Sequence, residues 1–286
     1  MRSSNPVLSR PDAFTPQQQP VQGGFQQQPY GYQQQPNQGG FQQPGYGQPG
    51  QYPNPYGPQN PTQAARGVMT IDDVITKSAI TLGTVIATAA LTFMFMPARF
   101  LVAGMIISAL VGFVTVMLVA ARRVINPTMV LAYAAIEGVF IGAVSKLYES
   151  LWNGIVPAAV LATVVAAAAT LGAYKFFRIK VTSKFRKMVM IGTMAYAGVL
   201  LVNFVMSLFG VNFLFGHGNM ALLLLISAVG VGLAVFNLIM DFDYIEQGIA
   251  MQAPESESWR AAFGLTVTLV WLYIEMLRLL SYFRSN

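Results

Sequence analysis

The sequence contains no cysteine, and its one histidine is His217. These absences exclude disulfide frameworks, thiol nucleophiles, zinc fingers and bis-histidine metal or haem sites. Charged residues are also scarce, at 10% of the chain, which is less than half the share of roughly 25% in soluble globular domains. A soluble enzyme is therefore not expected, and any chemistry must use carboxylates, hydroxyls and backbone groups.

Residues 1 to 66 hold 12 of the 16 prolines and repeat glutamine, proline, glycine and tyrosine. The segment has little to bury and cannot offset the ~1–2 kcal/mol per residue of backbone entropy lost on ordering. We predict a disordered tail that is either solvated or, through its spaced Tyr and Phe, a weak self-association or partner-docking segment. Its start lacks the apolar run of a signal peptide, so we expect the tail to be cytoplasmic.

Seven apolar windows follow the tail, and each approaches the ~20 residues that a helix needs to cross a bilayer. The folded region is predicted to begin near Thr70, which is placed to act as the N-cap of the first helix, with Asp73 three residues later. This pattern predicts an all-α membrane protein, a seven-helix bundle over residues 67 to 286. The windows lie near 74 to 96, 100 to 121, 127 to 146, 152 to 174, 188 to 209, 219 to 240 and 261 to 283.

Basic residues are unevenly divided between the two sides of the predicted bundle. Thirteen of the 17 Lys and Arg fall on the side of the N-terminus, six of them between residues 175 and 187. The positive-inside rule then predicts a cytoplasmic N-terminus and, after seven spans, a C-terminus on the outside, in the plasma (inner) membrane. This distribution also accounts for the net charge of +6 without a nucleic-acid partner.

A glutamate lies near the middle of the third span. A charged side chain at the bilayer centre costs roughly 2.5–3.5 kcal/mol, so Glu137 requires a partner or a task. Ala134, Gly138 and Gly142 recur at four-residue spacing, which lets another helix approach and shield the carboxyl from lipid. Glu137 either forms a hydrogen bond across this helix contact in its protonated state or belongs to an ion or proton path.

The sixth span ends in three acids, Asp241, Asp243 and Glu246. Asn237 and Asp241 share one helix face, whereas Asp243 and Glu246 share another, so an inward pair and an outward pair are expected. Carboxylate oxygens are ligands that calcium prefers, and the three acids are a candidate calcium site. Their mutual repulsion and partial burial predict pH sensitivity, and the alternative for Asp243 and Glu246 is a solvated helix end.

The seventh span carries Glu275 and Arg278 three residues apart, where they can neutralise each other. Trp259, Trp271 and Tyr282 are typical of interface anchors and packing. The sequence has no metalloprotease, serine hydrolase or intramembrane aspartyl protease motif, so an ion-translocating or regulatory membrane protein without cofactors is the class that remains.

From about residue 67 to 286 the chain resembles the Bax inhibitor-like family, the transmembrane Bax inhibitor motif proteins, in its bacterial branch. Three segments carry the resemblance: Glu137 to Gly142, the F-x-x-x-x-D pattern from Phe236 to Asp241, and the final Leu277-Arg278-Leu279-Leu280. The resemblance implies a seven-helix bundle with a central last helix and a calcium leak gated by pH. It also implies an aspartate pair on the sixth and seventh helices, held by an arginine near the cytoplasmic end of the second.

Asp241 matches the first aspartate of this implied pair, while the second depends on the alignment. Matching the terminal Leu-Arg-Leu-Leu places Thr268 at the second position and makes Arg278 the family's buried arginine, which Glu137 or Glu275 could neutralise. The other alignment makes Glu275 the second carboxylate. We prefer the first, because it keeps the helix ends aligned, and Asp241 could then pair with Asp243 or Glu137. Arg122 or Arg123 lies at the end of the second helix where the arginine latch is expected.

The leading hypothesis is a multi-pass protein that mediates a pH-sensitive leak of calcium or another cation, with Asp241, Glu137, Glu275 and Asp243 as ion-path or pH-sensing residues. The alternative is a non-conducting regulator that binds a membrane protease or stress-response partner, with the tail as docking element. Both hypotheses assign the chain no catalytic residues.

Overall fold

The structure, a computed structural model, describes residues 67–122, 124–211 and 220–284. Seven of the helices in these ranges are long and apolar enough to cross a membrane, which confirms the predicted all-α bundle. The predicted tail at residues 1 to 66, His217 and Arg123 lie outside the described residues. The helices are α1 (Ile71–Phe95), α2 (Leu101–Ala120, after a short 3₁₀ turn at Ala98–Phe100), α3 (Pro127–Leu151), α4 (Ile155–Phe176), α5 (Ser183–Leu208), α6 (Met220–Ala250) and α7 (Ser256–Arg284).

Side-chain caps fix the starts of three helices. The hydroxyl of Thr70 accepts a hydrogen bond from the backbone N–H of Asp73 at 3.2 Å, as the sequence predicts for α1. Asn126 caps α3 and precedes Pro127, whose fixed φ suits the first helical turn. Thr182 caps α5 by accepting from the N–H of Phe185. These caps satisfy N–H groups that have no partner within the helix.

Helix α6 extends about ten residues beyond the predicted apolar window and ends at Ala250. A hydropathy window closes where acids begin, but a helix needs only backbone hydrogen bonds and suitable neighbours to continue. All three acids of this region therefore lie on regular helix, and their directions are set by the helical repeat.

Helix α7 lies at the centre of the bundle and packs against α1, α3, α4 and α6. It has more buried residues than any other helix, from Ser258 at its start to Ser281 near its end. Helix α2 packs on α3, and α5 packs on α6. The central position of α7 agrees with the architecture that the family resemblance implies.

Large apolar side chains cover the outer faces of α2, α4 and α5. Val102, Leu161 and Met194, for example, are 59%, 65% and 71% exposed within the protein. In water such surfaces would favour aggregation, whereas acyl chains solvate them. The outer surface of the bundle is therefore in contact with the lipid bilayer.

The stripe of small residues on α3 admits α1 at close range. A Cβ atom built on Gly142 would lie 2.7 Å from the Cβ of Thr92 and would also meet the backbone of Ala89. Gly138 is equally close to the side chain of Thr88. The predicted close helix approach is thus present, and α1 is the helix that makes it.

The segment before α1 is joined to the connection between α6 and α7. The N–H of Met69 donates to the carbonyl of Ala253 at 2.8 Å, and the N–H of Glu255 donates to the carbonyl of Gly67 at 2.8 Å. The ammonium group of Lys77 pairs with the Glu255 carboxylate at 2.8 Å. These contacts tie the beginning of the described region to the end of α6.

Candidate functional site

Asp241 on α6 directs its carboxylate towards α7. Its Oδ1 atom would lie 3.3 Å from a Cβ built on Gly264, so the absence of a side chain at Gly264 leaves space for the carboxylate. Its Oδ2 atom is buried and has no hydrogen-bond partner among the described residues. No ion pair of Asp241 is found in that part of the chain either. The Oδ2 atom of this carboxylate can therefore accept a ligand, because no described protein group binds it.

The hydroxyl of Thr268 lies beside the Asp241 carboxyl and interacts with it. This contact joins α6 to α7 at the two positions that the preferred alignment equates with the family's aspartate pair. A hydroxyl thus occupies the place expected for the second carboxylate. The pair differs from two aspartates because Thr268 brings no charge.

Glu275 lies well away from Asp241 along the same interface. A Cβ built on Gly230 of α6 would lie 2.7 Å from the Cδ of Glu275. Eleven residues separate Gly230 from Asp241 on α6, and eleven separate Gly264 from Glu275 on α7. At 1.5 Å per helical residue, the two carboxylates lie at levels about 16 Å apart. The structure does not bring Glu275 to Asp241.

Glu275 is instead the centre of a buried polar cluster with Arg278, Tyr196 and Trp271. Its side chain is fully buried, and Nη1 of Arg278 lies 3.1 Å from each carboxylate oxygen. The hydroxyl of Tyr196 on α5 donates to Oε1 of Glu275 at 2.9 Å, and the Trp271 indole donates to the same atom at 3.3 Å. Glu275 and Arg278 thus form an ion pair, which is one of the two pairings expected for Arg278.

Asp243 and Glu246 are held by side chains at the end of α4 and the start of α5. Arg186 pairs with Oδ2 of Asp243 at 2.9 Å, and the hydroxyl of Tyr174 donates to Oε2 of Glu246 at 2.6 Å. Asp243 is only 8% exposed, because the start of α5 packs over it, whereas Glu246 is exposed. The alternative of a solvated helix end is therefore met by Glu246 alone.

The three acids of α6 do not converge on one point. Asp241 faces α7, whereas Asp243 and Glu246 face α4 and α5. Within the described ranges, no group of three acidic or histidine side chains is placed to hold a metal ion. The candidate calcium site made of Asp241, Asp243 and Glu246 is therefore not formed by these residues. Asn237, expected to act beside Asp241, donates instead to the hydroxyl of Thr193 at 2.7 Å.

Glu137 on α3 is partly buried and lies against α2. Its Oε2 atom would be 3.3 Å from a Cβ built on Gly112, and Tyr133, one turn earlier, is next to the carboxyl. The small-residue stripe of α3 contacts α1, so it is Gly112 of α2 that makes room for Glu137. In the structure Glu137 is paired with neither Asp241 nor Arg278.

Glu137 and Glu275 line a common cavity between α3, α5 and α7. The cavity has a volume of about 420 Å³, and its wall includes Asn203 and Ser207 of α5 as well as Arg278. Glu137, Asn203 and Ser207 bring a few oxygen atoms to a wall that is otherwise mostly apolar, and such atoms could exchange with the hydration shell of a cation.

The expected arginine latch is not seen among the described residues. Arg122 is exposed, and its backbone carbonyl, rather than its guanidinium, makes a contact, which is with Arg260. Arg123 lies outside the described residues. Besides the predicted Arg278, the acids are contacted by Arg186, Tyr174 and Tyr196, which the sequence analysis did not single out. Tyr196 is the one tyrosine within the apolar stretch of α5, and this isolated hydroxyl could have been noticed.

The bundle and its buried acids define a multi-pass membrane protein with polar groups placed inside a lipid-facing shell. Its chain belongs to the Bax inhibitor 1 like family, because the sequence model of that family matches residues 5–285. The match extends further towards the N-terminus than the region of resemblance expected from the sequence, which begins near residue 67. No curated protein was found to match the chain.

Proposed function

We propose that this protein mediates a slow, pH-sensitive leak of calcium or another cation through its helix bundle. The observation that carries the proposal is the state of Asp241. Asp243, Glu246 and Glu275 each have a cationic or hydroxyl partner at 2.6–3.1 Å, whereas Asp241 has a buried oxygen without one in the described ranges. A carboxylate of this kind can bind a passing cation or proton.

The scarcity of ligands around Asp241 fits a leak better than a storage site. Conduction requires binding that is favourable enough for entry and weak enough for release. One carboxylate and the Thr268 hydroxyl meet this requirement, whereas a calcium site usually has six to eight oxygen ligands. The cavity lined by Glu137, Asn203 and Ser207 offers the cation a few further oxygen atoms.

In the proposed mechanism, protonation of Asp241 removes its charge and so changes its affinity for the cation. The populations of the conducting and closed states then shift, because the two states differ in their affinity for the cation and for the proton. The Thr268 hydroxyl can remain hydrogen-bonded to Asp241 in both protonation states, because a hydroxyl can donate to a carboxylate or accept from a carboxylic acid.

The proposed topology places the start of α1 and the α4–α5 connection on the cytoplasmic side of the plasma membrane. The asymmetry of Lys and Arg supports this orientation. Because the chain has no cysteine, Ser183→Cys creates a unique thiol at the start of α5. In intact cells this thiol should not react with a membrane-impermeant reagent, and it should react after permeabilisation. Labelling in intact cells would show that the topology is the opposite of the one proposed.

The leak is tested with purified protein in liposomes that contain a calcium indicator, at about pH 6 and about pH 8. Wild-type protein should give flux that exceeds that of empty liposomes and differs between the two conditions. Asp241→Asn should remove this difference, whereas Asp72→Asn, the same change at an exposed position of α1, should preserve it. No flux above that of empty liposomes at either pH would reject the proposal.

A further inference from the structure

The segment that includes the end of α4, the connection and the start of α5 carries the strongest charge of the described region. Between residues 175 and 187 the sequence has six basic residues and no acid. All six are exposed in the structure. By contrast, Glu255 lies in the connection between α6 and α7, and Glu257 lies in the first turn of α7. The basic residues are Lys175, Arg178, Lys180, Lys184, Arg186 and Lys187.

Two aromatic side chains project from the same segment. Phe176 and Phe177 are 82% and 71% exposed, and their rings meet edge to face at 5.2 Å between centroids. Exposed phenylalanines would be unfavourable in water, but they are suited to the boundary between headgroups and acyl chains. Because α4 and α5 both cross the membrane, the connection between them lies within reach of that boundary.

The segment is also anchored to α6 near both of its ends. Tyr174 binds Glu246 before the basic run, and Arg186 binds Asp243 within it. The Arg186 side chain remains 48% exposed, while that of Asp243 is 12% exposed. A guanidinium has five N–H donors, so Arg186 can bind Asp243 and still offer donors to an external anion. The anchors hold the cations in one place on the surface of the bundle.

From this combination we propose that residues 174–187 form a docking surface for the headgroups of anionic phospholipids. The exposed cations bind the lipid phosphates, and Phe176 and Phe177 enter the adjacent acyl region. Charge complementarity selects anionic over zwitterionic lipid, since each Lys or Arg near an anionic membrane surface adds to the attraction. The surface does not depend on the proposed leak, because lipid binding requires no flux.

The test uses full-length Ser183→Cys protein labelled with a fluorophore and reconstituted into vesicles of phosphatidylcholine and phosphatidylglycerol. A trace of lipid with a nitroxide on its headgroup is added, either as the anionic or as the zwitterionic species. Quenching by the anionic species should be about threefold stronger or more, which reports local enrichment of that lipid. In about 1 M salt, where the Debye length is about 3 Å, the two species should quench nearly alike.

Two matched variants separate charge from fold. Lys→Gln at the four lysines 175, 180, 184 and 187 should lose most of the enrichment, whereas Lys→Arg at the same four positions should retain it. The comparison in high salt keeps all six basic residues and does not depend on the folding of either variant. Equal quenching by the two lipids in the labelled protein, as expected if the surface binds an acidic protein instead, would overturn the proposal. Enrichment that survives Lys→Gln would overturn it as well.

Discussion

Asp241 and Glu275 point into the same α6–α7 interface at levels about 16 Å apart, each towards a glycine of the facing helix. They therefore form two separate sites and not one carboxylate pair. The contact between Thr268 and Asp241 supports the alignment in which Thr268 occupies the second aspartate position. Glu275 pairs instead with Arg278.

This separation predicts that changes at the two acids are additive. Sites more than about 7–10 Å apart without shared partners usually couple by less than about 0.5 kcal/mol. Asp241→Asn, Glu275→Gln and the double variant should give unfolding free energies that sum within that margin in one detergent. A coupling well above about 1 kcal/mol would mean that the two carboxylates act as a pair after all.

A second prediction concerns the buried ion pair. Glu275→Gln removes the carboxylate that pairs with Arg278, whose side chain is 15% exposed. Loss of one partner of a buried pair costs roughly 3–5 kcal/mol, so a large fall in the temperature of thermal unfolding is expected.

The chain offers a close control for this experiment. Glu257 and Arg260 have the same i, i+3 spacing on the same helix, but their side chains are 22% and 27% exposed. Glu257→Gln should cost no more than about 1 kcal/mol, because solvent screens such pairs. The double variant Glu275→Gln/Arg278→Met should recover part of the lost stability. Equal losses of stability in Glu275→Gln and Glu257→Gln would contradict the burial of the Glu275–Arg278 pair.

Length and hydropathy were sufficient to predict the seven spans, because a bilayer imposes nearly the same length on every crossing helix. Thr70 was predictable as a cap, since its bond to Asp73 is local in sequence. The partners of Asp243 and Glu246 were not predictable in this way. Arg186 lies 57 positions from Asp243, and Tyr174 lies 72 positions from Glu246. Such pairs depend on the rotation of each helix, which composition does not determine.

The same limit explains the error about the calcium site. Three acids within six residues indicate high local charge, but side chains on a helix diverge by about 100° per residue. Asp241 and Asp243 consequently face different neighbours. The helical repeat separates Asp241 from Asp243 and Glu246, as expected from the sequence, but it does not determine which neighbouring helix each acid meets.

A third prediction tests what Thr268 contributes. Thr268→Asp places a second carboxylate beside Asp241, and two adjacent carboxylates repel each other when both are ionised. The thermal stability of this variant relative to wild type should therefore fall as the pH rises. Thr268→Asn has nearly the same shape without the charge and should show no such trend. A pH-independent effect of Thr268→Asp would show that the new carboxylate does not meet Asp241.

A fourth prediction concerns the close approach of α1 to α3. Gly142→Ala would place a Cβ 2.7 Å from the Cβ of Thr92, so one of the two helices must move. Overpacking of this kind typically costs about 1–3 kcal/mol. Gly198 lies in the middle of α5, and no atom lies within 4 Å of the position that a Cβ would take there, so Gly198→Ala meets no obstacle. Thermal unfolding in detergent should show a loss for Gly142→Ala and none for Gly198→Ala, where the higher helix propensity of alanine favours a small gain. If the two variants have the same stability, α1 does not pack against α3 as closely as the structure shows.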